Sequence, residues 1–182
     1  MKNSLAEKTQ SIASNTLTSV GTILKILLRS KYSVQLPKTT KTDCIIMGNG
    51  PSMKKVVVSH HLQLKNKTLW AVNYFGNSEL FEQVKPSYYL IVGPEFWRED
   101  VREKNKTLRK KLFDNLLSKT NWPLIVFLPA EAFTSTFLKY YLNKNANLRF
   151  QPFNTTPIEG FQGLNNLLMK ANLGMPRPHN VI

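Results

Sequence analysis

Gly48-Asn49-Gly50-Pro51-Ser52 follows directly on the apolar run Asp43–Met47, and no other string in the chain is better suited to hold a ligand. Glycines let the backbone turn tightly and let a ligand approach the main chain. Pro51 suits the first turn of a helix, where its missing N–H is no loss. Ser52 can cap that helix or offer its hydroxyl, and Asn49 carries an amide that both donates and accepts. Amides exposed at the helix start would favour a phosphate or carboxylate. The string lacks the GK[S/T] ending of a P-loop and the third glycine of the dinucleotide fingerprint. A tight strand-to-helix turn with no ligand is the alternative.

Fewer residues point to other chemistries. Glu95, Glu99 and Asp100 form an acidic cluster that suits a metal or a general acid, or more simply the start of a helix, where acids complement the dipole. The three histidines, His60, His61 and His179, have no HExxH spacing. Cys44 is the single cysteine, which excludes a disulfide framework and a cysteine zinc site. Inside a strand it reads as a small buried hydrophobe. Trp70, Phe75, Phe96 and Trp97 read as core or pocket wall.

The 182 residues carry 25 Lys and Arg against 11 Asp and Glu, a net charge of +14 that favours an anionic partner. The excess is uneven. Residues 1–42 hold Lys2, Lys8, Lys25, Arg29, Lys31, Lys38 and Lys41 against Glu7 alone. The second basic run, Arg102–Lys111, reads as a solvated helix face. It has neither the aromatic interleaving of single-strand binders nor a DNA-binding motif, so no specific nucleic-acid partner is expected.

Leu17, Val20, Ile23, Leu24, Leu27 and Leu28 recur at helical spacing with Lys25, Arg29 and Lys31 close by. Such a helix suits an anionic membrane surface, or it packs on the domain or a partner subunit. The sequence has no uninterrupted apolar run of membrane-spanning length. Pro37 and Lys38–Thr42 read as a linker. Thereafter Asp43–Met47, Thr68–Val72, Ser87–Val92 and Pro123–Leu128 read as strands, with Asn147–Phe150 a short fifth. Met53–Leu64, Asn77–Val84, Arg98–Ser118, Glu131–Leu142 and Ile158–Asn172 read as helices or a lid. The alternation predicts an α/β domain over 43–182 with a mostly parallel sheet and flanking helices, preceded by an amphipathic N-terminal helix over 1–42. Ligands in such sheets bind beyond the carboxyl ends of the strands, near a topological switch point. That makes Gly48–Ser52, Asn73–Tyr74 and Gly93–Pro94 the candidates.

In order, CIIMGNGPSM, WAVNYF and KPSYYLIVGPEFW resemble bacterial cell-surface glycan enzymes related to the Campylobacter-type lipooligosaccharide sialyltransferases. More distantly they resemble the family that contains the archaeal 6-hydroxymethylpterin diphosphokinase. The resemblance covers Asp43 to Trp97 and implies a Rossmann-like fold and a CMP-sugar donor with no required cofactor or metal. By this resemblance Gly48, Asn49, Gly50, Pro51 and Ser52, then Asn73 and Tyr74, then Gly93 and Pro94, contact the nucleotide. Two of these positions depart from the family. Tyr74 stands where those enzymes often carry Gln, and Gly93 stands where they place Asn. Arg177 is a candidate for the donor phosphate, and His179 for the general base that the family takes from later strands. The resemblance implies further strands after Ile182, so the chain reads as incomplete at its C-terminus. The implied acceptor is a glycan or lipid-linked sugar, and the implied location is peripheral at the cytoplasmic face of the inner membrane. The alternatives are a pterin-diphosphokinase-like enzyme using ATP, and a non-catalytic binding module; self-association is compatible with each.

Overall fold

The short apolar runs between residues 43 and 153 are strands, and the mixed stretches between them are helices or 3-10 turns. The computed structural model describes residues 2–34, 36, 43–59, 64 and 67–176, with side chains from residue 6 onward. A long helix, α1 (Lys2–Arg29), comes first. Then follow β1 (Cys44–Met47), α2 (Met53–Ser59), β2 (Thr68–Val72), α3 (Phe81–Val84), β3 (Tyr88–Leu90), α4 (Glu103–Lys119), β4 (Leu124–Pro129), α5 (Thr136–Tyr141) and β5 (Leu148–Phe153). The last elements are β6 (Pro157–Ile158), α6 (Gln162–Lys170) and β7 (Met175–Pro176). The fold is α/β and Rossmann-like, with flanking helices and an N-terminal helix.

Packing divides the chain into two units: residues 37–152, and residues 1–36 together with 153–182. The C-terminal segment thus groups with the N-terminal helix, whereas the sequence suggests a boundary near 42. Pro37 and the stretch 38–42 lie outside the described residues.

In the larger unit the five strands form one all-parallel sheet in the order β1-β2-β3-β4-β5. No strand order reverses, so the expected topological switch point does not exist among the described strands. Strands added in sequence through crossovers of the usual hand put their connections on one face. One register row, Met47–Ala71–Tyr89–Val126, is at most 1% exposed across four strands. It packs in the core with Leu112, Phe113 and Leu116 of α4. The adjacent row, Ile46–Trp70–Tyr88–Ile125, points the other way, and Trp70 stacks on Tyr88 and Phe127 at centroid distances of 4.7 and 5.4 Å. β1 is an edge strand, so the expected burial of Cys44 is wrong: Cys44 and Ile46 are exposed.

The helix expected over Asn77–Val84 is a 3-10 turn, Phe75–Asn77, followed by the four-residue α3. Ser78 closes the 3-10 turn, its amide donating to the Phe75 carbonyl at 3.0 Å, and its hydroxyl accepts from the Leu80 amide at 3.1 Å. The helix expected over Glu131–Leu142 is a 3-10 turn, Ala130–Thr134, then α5, broken at Ser135, whose hydroxyl donates to the Trp97 carbonyl at 2.8 Å. The basic run at the start of α4 is not wholly solvated. Arg109 is 3% exposed because its guanidinium donates to the Arg98 carbonyl and the Glu99 carboxylate, with its Cζ 4.2 Å from the Phe137 ring centroid.

In the smaller unit, α1 docks through a seam of small and polar residues. The Ser19 hydroxyl accepts from the Phe161 amide at 3.0 Å. The Thr22 hydroxyl donates to the Glu159 carbonyl at 2.9 Å and accepts from the Glu159 amide at 3.0 Å. Ser30 shares a 2.8 Å bond with the Thr156 hydroxyl. Among the described residues only Ile26 of this face is apolar and buried, packing with Ile158 and Leu168. Gly160 sits at φ +108 directly against Ser19, where a Cβ would lie 2.1 Å from the Ser19 Oγ. Although no uninterrupted apolar run exists, Ala6–Arg29 is long and apolar enough to cross a membrane by length and composition.

Candidate functional site

A cavity of about 520 Å³ opens at the carboxyl edge of the sheet in the larger unit, beyond β1 and β2. Its size is ordinary for a small-ligand site. Gly48, Asn49, Gly50 and Pro51 form one wall and Tyr74 another. Of the remaining candidates, Ser52, Asn73, Gly93 and Pro94 stand outside the lining. Arg177 and His179 lie outside the described residues.

The glycine turn begins where β1 ends. The Met53 amide donates to the Gly50 carbonyl at 3.0 Å, closing a turn into α2. That amide is therefore spent on the turn, and α2 has seven residues. The glycines themselves are more telling. Neither Gly48 nor Gly50 has a positive φ. A Cβ on Gly48 would meet nothing within 4 Å, and one on Gly50 only the Ser52 Oγ at 3.8 Å. Gly76 differs: a Cβ there would lie 2.8 Å from Leu112 Cδ1. Packing thus explains Gly76, and neither packing nor backbone conformation explains Gly48 and Gly50, whose main chain faces open space.

The second wall is set by the end of β2. Asn73 adopts φ 52, in the left-handed region that Asn tolerates better than most residues. Its carbonyl accepts from the Tyr89 hydroxyl at 2.7 Å. This turns the chain so that Tyr74 comes onto the cavity wall while Asn73 stays exposed beside it. The Tyr74 ring packs on Phe96 with centroids 4.6 Å apart. Its hydroxyl is buried and has no protein partner. Burial pushes the phenol above its ordinary value, the charge of Glu95 adds to this and Arg109 opposes it. Tyr74 is therefore a neutral hydroxyl near pH 7, and a buried hydroxyl without a partner is uncommon in folded proteins.

Residues the sequence did not single out complete the site. Lys54 and Glu79 stand at the rim, 3.9 Å apart and well exposed, a weak pair. Asn77 lines the cavity but is held in place, its amide donating to the Leu108 carbonyl at 3.3 Å and its oxygen accepting from Asn115 at 3.0 Å. Their sequence signal is position alone, Lys54 shortly after the end of β1 and Asn77 and Glu79 shortly after the end of β2.

Gly93 and Pro94 open a 3-10 turn, and the Glu95 carboxylate lies where a Gly93 Cβ would be. Glu99 and Asp100 are not the start of a helix. Glu99 pairs with Arg109 at 2.9 Å, and Asp100 accepts from Arg98 Nε at 2.8 Å. Among the described residues no group of three or more His, Cys, Asp or Glu could hold a metal ion.

The fold and cavity define a class: a Rossmann-like α/β domain with a ligand-sized cleft at the carboxyl edge of its sheet. No family model, curated protein or solved structure matches the chain.

Proposed function

We propose that the chain is a nucleotide-sugar-dependent glycosyltransferase of sialyltransferase type. It takes a CMP-sugar donor in the cavity and serves cell-surface polysaccharide or lipooligosaccharide synthesis at the cytoplasmic face of the inner membrane. The observation that carries this reading is the bare glycine wall. Gly48 and Gly50 lack side chains where the fold has room for them, which fits a ligand laid against the main chain. The motif resemblance names that ligand as a cytidine nucleotide.

Within this reading Asn49 reads the nucleotide through its amide, and Tyr74, its ring packed on Phe96, forms the facing wall. Lys54 at the rim offsets the charge of the departing nucleotide phosphate. Transfer to an acceptor hydroxyl needs a base within hydrogen-bond reach, and Glu79 is the carboxylate on the cavity wall. The test is release of CMP from a CMP-linked sugar in the presence of glycan acceptors. Acceptor-dependent release, reduced at least about tenfold in Glu79→Gln, is expected. If the chain binds neither CMP nor CMP-sugar, the reading fails.

A further inference from the structure

Helix α1 is inverted relative to a helix of a water-soluble core. The face it turns to its own unit carries Ser19 and Thr22, with Ser30 just past the helix end, all buried and hydrogen-bonded, and a single buried apolar side chain, Ile26, among the described residues. The face it leaves uncovered carries Leu17, Val20, Leu24, Leu27 and Leu28, between 50 and 84% exposed. Water drives apolar side chains inward. Small polar residues at the contact and leucines outside are instead what lipid selects, where polar groups must be satisfied within the protein. Exposed Phe161, Leu167 and Met175 add apolar surface to the same unit.

Charge identifies the surface. The cations near the stripe are Lys25, Arg29 and Lys31, and Glu7 is the helix's lone acid. Polarity identifies the mode. Ser19 and Thr22, well inside Ala6–Arg29, hold the Phe161 amide and the Glu159 backbone, and Lys25 pairs with the Glu159 carboxylate at 3.9 Å. A helix that crossed the bilayer would carry this carboxylate and the attached turn into hydrocarbon, which is expensive. We infer that α1 lies in the plane of an anionic leaflet, with Leu17, Val20, Leu24, Leu27 and Leu28 among the acyl chains and Lys25, Arg29 and Lys31 at the headgroups. Ser19, Thr22 and Ser30 keep residues 154–173 attached to it. This deepens the membrane address in the proposed function by naming the face, the lipid charge and the depth.

The test is co-sedimentation of the full chain with phosphatidylglycerol vesicles and with phosphatidylcholine vesicles, with CMP binding measured on the same samples. Stronger binding to phosphatidylglycerol is expected, falling by roughly fivefold for each of Lys25→Gln and Arg29→Gln. Leu24→Glu/Leu27→Glu, both at exposed positions, should lower binding by at least about a hundredfold while leaving the circular dichroism unchanged. Equal binding of this variant, or equal binding to both lipids, overturns the inference. So does a dimer in solution that the same variant dissociates, since the stripe then belongs to a second copy. Vesicle binding that persists without CMP binding counts against the transferase alone.

Discussion

The Tyr89 hydroxyl stands 2.7 Å from the Asn73 carbonyl and donates to it, while accepting from the Gly76 amide at 2.7 Å. One fully buried phenol thus ties β3 to the turn that ends β2. It holds Asn73 in its left-handed conformation and brings Tyr74 to the cavity.

Tyr89→Phe removes both bonds and leaves the buried Gly76 amide unsatisfied. A loss of about 1–3 kcal/mol is expected from urea unfolding. Tyr74 loses its anchor as well, so ligand affinity should fall together with stability.

The same residue shapes the alkaline limb of stability. Burial holds the Tyr89 phenol well above its ordinary value of 10.0, with the Gly76 amide opposing. The folded state therefore keeps a proton that the unfolded chain gives up, so stability is intact below pH 10 and falls as pH rises above it. Tyr141 is raised too, by burial and by its bond to Asp114. The urea midpoint should drop progressively as the pH rises above about 10, with a shallower slope in Tyr89→Phe. An equal slope in the variant would assign the effect to other groups.

Two glycines separate fold from function. Gly76→Ala drives a Cβ to 2.8 Å from Leu112 and should cost about 1–3 kcal/mol. Gly50→Ala enters open space and should leave the unfolding midpoint unchanged or slightly raised, by up to ~1 kcal/mol. Thermal denaturation of the two variants side by side checks the contrast.

Arg109 braces the loop from Gly93 to Arg102 against α4. Arg109→Ala opens a cavity and frees the Arg98 carbonyl, with an expected cost of about 2–4 kcal/mol. Lysine lacks the guanidinium fork, so Arg109→Lys should recover little. Glu99→Ala should cost less than about 1 kcal/mol, because that carboxylate is 62% exposed.

In the smaller unit, Gly160→Ala sets a Cβ against Ser19 at a φ of +108 that alanine avoids. The docking of α1 should loosen. Amides of α1 should then exchange with deuterium faster, while the sheet of the larger unit exchanges as before.

Much of this architecture is written locally. Thr68–Val72 reads as a strand from its own residues and is one. Leu124–Pro129 lies one residue from the run that suggests it. Short apolar runs between turn residues have few alternatives in an α/β chain. What the sequence hides depends on distant partners. Arg109 looks like one of several solvated cations in its run, and only the Arg98 carbonyl and the Phe137 ring show why it is buried. Cys44 looks buried until β1 is placed at the sheet edge. The glycine turn was legible as a ligand candidate because its composition is unusual. Asn77 and Leu108 were not, because each reaches the cavity wall through the packing of α4 on the Phe75–Asn77 turn. The docking face of α1 is hidden for the same reason, since Ser19 and Thr22 are buried only through Phe161 and Glu159, 142 and 137 residues away along the chain.

The most direct measurement is a calorimetric titration of the full chain with CMP, beside ADP, with and without Mg²⁺, repeated on Gly50→Ala. The account predicts selective, Mg²⁺-independent binding of CMP that is lost in Gly50→Ala although its melting temperature is preserved. CMP binding that survives the added methyl, or no binding by the parent chain, would contradict the claim that the bare glycine wall is a nucleotide site.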